Sequence, residues 1–151
     1  MCNYEFIWFI EDDVYFYNEN TILNIDNKFP HADLLSNTCV SNYSDKKTDG
    51  WHWNGIQIKY YPPYYRGMMC AVRFTKKMMH CITNYAKLHK TLFFLEALFP
   101  TVAIKNNLKC AIPEELKEIH YRHDFEKNDV NTIKLYHPVK DISKHVFFRE
   151  N

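Results

Sequence analysis

An α/β fold is what this sequence predicts, and three observations predict it. The run from Tyr4 to Ile10 is aromatic and β-branched without period-2 alternation, and it stops abruptly at Glu11-Asp12-Asp13. Such a run suits a strand buried on both faces, as in a parallel sheet. Cys70 to Phe74 reads as another strand, and Thr75 then supplies an N-cap for a helix over about Lys76 to His89. Met78, Met79, Ile82, Tyr85, Ala86 and Leu88 give that helix an apolar face. A last strand ends at His137, where Pro138 stops it.

Length and composition set the frame. The chain of 151 residues fits one domain, residues 1–151, and is long enough to bury a core. With 46% apolar and 17% aromatic residues it is globular and not disordered. Three glycines and no G-x-G-x-x-G or Walker pattern argue against a glycine-rich phosphate loop. A formal net charge of +1 gives no reason to expect nucleic acid as a partner. Cys2, Cys39, Cys70, Cys81 and Cys110 are widely spaced with no C-x-x-C, so they read as free thiols in a reducing compartment. No run approaches the length of a membrane span, and the first residues lack the basic segment of a signal peptide. A cytoplasmic location is the expectation.

The remaining elements follow in order. Asn18 to Thr21 offers cap chemistry for a short helix from about Thr21 to Lys28, with Pro30 just beyond. Asp33-Leu34-Leu35 and Thr38-Cys39-Val40 form one short strand or two adjoining pieces. Asn42 to Gly50 is polar and reads as a surface loop. The aromatic–proline cluster Tyr60 to Tyr65 suits neither a helix nor a central strand. Pro113 to Leu116 opens a turn or short helix, and Glu126 to Asn131 is loop.

Several of these places can carry chemistry. Three adjacent carboxylates at a strand end repel one another, and a hard divalent cation relieves them. A solvated acidic turn is the plainer alternative. Trp51-His52-Trp53 follows the polar loop; tryptophan faces with polar neighbours can bind sugar rings, or the two rings can simply pack in the core. Glu96 is one carboxylate inside the apolar run Phe93 to Ala103. A carboxylate so placed can serve as a general base, or sit on a helix surface in an ion pair. Arg66 can contact a phosphate or cap a loop, and Gly67 beside it permits close backbone approach to a ligand. His120 and His123 belong to no zinc spacing.

The strand closed by Glu11-Asp12-Asp13 resembles the D-x-D segment of GT-A-type, nucleotide-sugar-dependent glycosyltransferases, with Glu in place of the first Asp. Glu96-x-x-x-Pro100-Thr101 resembles the second acidic segment of the inverting members, and His137-Pro138-Val139-Lys140 resembles their closing segment. The resemblance covers about residues 4 to 141. It implies a GT-A-like (Rossmann-like) mixed sheet flanked by helices, lacking the N-terminal βαβ units that bind the nucleotide base, so that a missing N-terminal half or a partner chain is expected. It implies Mn or Mg held by Glu11, Asp13 and His137, with Lys140, Arg66 and Gly67 toward the donor and Glu96 as the base. Trp51, His52 and Trp53 would hold the acceptor. The implied activity is inverting transfer from a nucleoside-diphosphate sugar to a hydroxyl of a glycan or other acceptor. The alternative is a non-catalytic carbohydrate-binding or assembly subunit descended from such an enzyme.

Overall fold

A computed structural model describes Tyr4–Asn37, Trp51 and Trp53–Glu150. The strand expected at Thr38 to Val40, the loop Asn42 to Gly50 and His52 lie outside the described residues. Strands β1 (Phe6–Ile10), β3 (Leu34–Leu35), β4 (Ala71–Thr75) and β5 (Cys110–Ala111) form one sheet in the order β1-β4-β3-β5. Strands β2 (Tyr15–Phe16), β6 (Glu118–Ile119) and β7 (Leu135–His137) form a second, in the order β2-β7-β6. Both sheets are mixed: β4 runs antiparallel to β1 and β3, while β3 and β5 are parallel. In the smaller sheet, β7 is antiparallel to β2 and parallel to β6. Helices α1 (Glu19–Lys28), α2 (Lys76–His89), α3 (Leu95–Lys105) and α4 (Ile142–Phe147) complete an α/β architecture.

The larger sheet is covered on both faces, and strand alternation shows how. Leu34, Val72 and Phe74 join Met78, Ile82 and Tyr85 of α2 and Leu98, Phe99 and Val102 of α3 in one apolar cluster. Leu35 and Ala71, one residue out of phase, join Ile25 of α1, Leu116 of the turn before β6, and Ile119 and Leu135 of the second sheet. The smaller sheet therefore packs on the α1 side of the larger one.

Helix α2 has the bounds its pattern predicts, and the Thr75 hydroxyl caps it by accepting the Met78 N–H at 3.3 Å. Helix α1 starts two residues earlier than expected, because Asn18 and not a later residue caps it.

Strand β1 departs from the expectation of a doubly buried, parallel, central strand. It is the edge of its sheet and antiparallel to its one neighbour. With helices packed on the inner strands, β1 buries a single face: Trp8 and Ile10 pack inward while Phe9 stays 54% exposed. An unalternating apolar run does not distinguish these cases, since aromatic residues suit either.

Candidate functional site

The site is assembled by register. Ile10 pairs with Ala71, so the next position along the β1–β4 ladder sets Glu11 against Cys70, and the Glu11 N–H donates to the Cys70 carbonyl at 2.9 Å. The chain then turns, with the Val14 N–H bonded to the Glu11 carbonyl at 3.1 Å, and enters β2. Strand β7 pairs with β2, and just past its end the Val139 N–H reaches the Asp13 carbonyl at 2.7 Å. Glu11 and Asp13, from the end of one sheet, thus meet His137, from the end of the other.

The geometry is close. His137 Nε2 lies 3.3 Å from Asp13 Oδ1 and 3.6 Å from Glu11 Oε2. His137 is only 7% exposed, and its Nδ1 lies 2.6 Å from the His120 carbonyl oxygen. A carbonyl only accepts, so Nδ1 carries the hydrogen and donates it. That bond fixes the ring and aims Nε2 at the carboxylates, the arrangement typical of a metal-ligating histidine whose other nitrogen is held by a carbonyl. A bare Nε2 lone pair facing two carboxylate oxygens is repulsive, so a proton or a cation belongs between them. One imidazole nitrogen and two carboxylates form a donor set that Mn or Mg accepts. Asp12, the middle residue of the triplet, is exposed.

Cys70 adds a donor that the sequence does not single out. Its sulfur, a carboxylate oxygen of Glu11 and a ring nitrogen of His137 all lie within 4.8 Å of one another. Burial pushes the Cys70 thiol up, a hydrogen bond to Glu11 adds to this, and the charges of Glu11, Glu96 and Asp13 act in the same direction. The Glu96 charge thus reaches Cys70.

The placement of Glu96 has a local cause. In a regular helix its carbonyl would accept from the residue four positions on, which here is Pro100 and has no N–H. The carbonyl accepts the Gly67 N–H instead, at 3.0 Å. Pro100 thus docks the start of α3 on the segment that leads into Cys70. The hydroxyl of Thr101 ties the same segment twice, accepting the Tyr65 N–H at 2.9 Å and donating to the Tyr65 carbonyl at 3.1 Å.

The other expected site residues are distributed as follows. Lys140 is exposed and lines an open cavity of about 750 Å³ with Tyr121, Arg122, His123, Asp124 and Pro138. Arg66 lies over the Trp51 ring, 5.4 Å from its centre, and Trp51 is half-buried against Phe94. Trp53 corrects the expectation of a paired tryptophan platform. It is 1% exposed and packs with Ile58, Tyr64 and Ala97, so its face is spent on the core, and of the two rings only Trp51 is partly exposed. Arg122 and Cys70 are the residues that sequence reasoning missed. Arg122 stands beside two histidines in a polar stretch with no motif, and Cys70 enters only through a long-range register.

Comparison with known protein families and with curated proteins finds no match to this chain. Among the described residues no helix is long and apolar enough to cross a membrane.

Proposed function

We propose that this chain transfers a sugar from a nucleoside-diphosphate sugar to a hydroxyl acceptor, with inversion at the anomeric carbon. The observation that carries this reading is the convergence of Glu11, Asp13 and His137 at the ends of two strands from different sheets. Those three residues would hold Mn or Mg, which when bound supplies positive charge to the departing diphosphate.

The chain's own groups do the rest. The His120 carbonyl keeps the His137 ring oriented. Lys140 and Arg122 line one cavity with Pro138, the residue after His137, and would offer positive charge to phosphate oxygens. Glu96 accepts the acceptor hydroxyl proton as that oxygen bonds to the anomeric carbon, while the bond from carbon to the diphosphate oxygen breaks and its electron pair leaves with the diphosphate. One base opposite the leaving group produces inversion, by the facial logic of inverting glycosidases. Trp51 contributes the apolar surface on which an acceptor ring can lie.

Isothermal titration calorimetry of UDP and GDP in the presence of Mn tests this on the wild type and on Asp13→Ala. Metal-dependent binding by the wild type and its loss in the variant are expected. Absence of nucleotide binding by the folded wild type would remove the donor site and with it the transferase reading. Binding of glycan alone, indifferent to metal, would favour a carbohydrate-binding subunit.

A further inference from the structure

We propose that Cys70 is a ligand of the same centre for thiophilic metals, and that zinc occupies a closed set of Cys70 Sγ, His137 Nε2, Glu11 and Asp13 that excludes the diphosphate. The donor positions carry the argument. The Cys70, Glu11 and His137 ligand atoms already lie within 4.8 Å of one another, and Asp13 Oδ1 is 3.3 Å from the same imidazole nitrogen. Zinc bonds of about 2.0–2.3 Å place tetrahedral donors roughly 3–4 Å apart, so a small adjustment brings the three donors to zinc, and Asp13, outside that trio, would turn toward it as the fourth.

The two classes of metal would use different subsets. A hard ion gains little from sulfur and would leave the Cys70 thiol and its proton aside. A thiophilic ion displaces that proton to solvent and takes the sulfur as thiolate. A site with four protein donors keeps no open position, and open positions are what distinguish catalytic zinc from structural zinc. Zinc binding would therefore compete with Mn or Mg for Glu11, Asp13 and His137 and silence nucleotide binding. The ligand set stands on the donor positions alone, whereas exclusion of the diphosphate rests on the proposed activity, so the cobalt test can hold where nucleotide binding fails.

Cobalt serves as the spectroscopic stand-in for zinc on the full chain. The wild type should show a thiolate-to-cobalt charge-transfer band that saturates at one equivalent and is displaced by zinc. Cys70→Ser should abolish the band and weaken zinc binding, read by competition with a chromophoric chelator, by at least about tenfold. Mn affinity should fall less than zinc affinity in that variant, because the hard ion does not use sulfur. Cys81→Ser and Cys110→Ser should keep the band. If Cys70→Ser shows an altered far-ultraviolet circular dichroism spectrum, Cys70→Ala replaces it, since alanine asks for no hydrogen bond. No band in the wild type, or a band that survives the loss of Cys70, overturns the proposal.

Discussion

Two places in this molecule set a nitrogen base against carboxylate, and they are balanced differently. On the α1 face of the larger sheet, Arg73 of β4 is fully buried. Its guanidinium donates to Asp26 Oδ1 at 3.0 Å, to the Phe29 carbonyl at 2.7 Å and to the Ala32 carbonyl at 2.8 Å, and it lies over the Phe6 ring at 3.9 Å. The Trp8 indole N–H donates to the same Asp26 oxygen at 3.1 Å. One full charge meets one full charge and is wrapped in acceptors, with only Arg73 Nε left without a partner. At the end of β1, two carboxylates face a single imidazole, and among the described residues no Lys or Arg forms an ion pair with Glu11 or Asp13. The first cluster has the charge balance that holds a fold together. The second carries surplus negative charge beside a buried, oriented nitrogen, which is the balance of a site that takes a cation from outside.

The contrast can be broken most sharply at Arg73. Arg73→Ala strips one partner from a buried pair and leaves Asp26 and two carbonyls without their donor. A loss of about 3–5 kcal/mol in urea denaturation is expected. Mn binding per folded molecule should be unchanged, and a defect there would show that the two clusters are coupled. Asp13→Asn is the reverse case. Removing surplus charge should leave stability within about 0.5 kcal/mol of wild type while Mn affinity falls at least about tenfold. A large stability loss would move Asp13 into the class of Arg73.

The smallest effect belongs to an ordinary surface pair. Lys134 bonds Glu118 at 2.8 Å and holds its carboxyl below the usual range. A depressed folded-state value means stability that is present above the unfolded pKa, about 4.3 for glutamate, and is lost as pH falls through the lower folded value. Both side chains are partly solvated, so the contribution is about 0.2–1 kcal/mol. Urea midpoints followed from about pH 6 to about pH 3 should fall less steeply in Lys134→Met than in wild type.

The parts of the structure legible in the sequence are those fixed by neighbours in the chain. The cap at Thr75 and the apolar spacing through Tyr85 define α2, and Pro138 ends β7. What the sequence does not display is set by distant partners. Two-residue strands such as β5 and β6 are too short to carry a period, although the short strand expected at Asp33-Leu34-Leu35 is present as β3. Pro100 hides α3, because a proline normally argues against a helix interior; here the carbonyl it leaves unserved is satisfied by Gly67. Trp53 and Trp51 look equivalent in sequence, and only packing against Tyr64 and Ala97 separates them. The meeting of Glu11, Asp13 and His137 was anticipated through a resemblance of motifs; no periodicity or composition announces it, since it depends on the join of two sheets.

Strand β7 is three residues long, and its side chains go to three destinations: Leu135 to the cluster under α1, Tyr136 to the cluster with Tyr15 and Phe148, and His137 to the carboxylates. The Tyr136 hydroxyl accepts the Asn131 N–H at 2.5 Å and donates to the Asp129 carbonyl at 3.1 Å, so the length of the connection from Asn131 is gauged by the strand's own side chain. Since a slip of one residue turns every strand side chain to the opposite face, length and not identity is the sensitive variable here. Exposed Ile133 can be exchanged freely, whereas a single residue gained between Asn131 and Leu135 would set Tyr136, and one lost would set Pro138, where His137 faces the carboxylates, while keeping every amino acid the site uses. Along that connection a substitution leaves the site intact, whereas an insertion takes it apart.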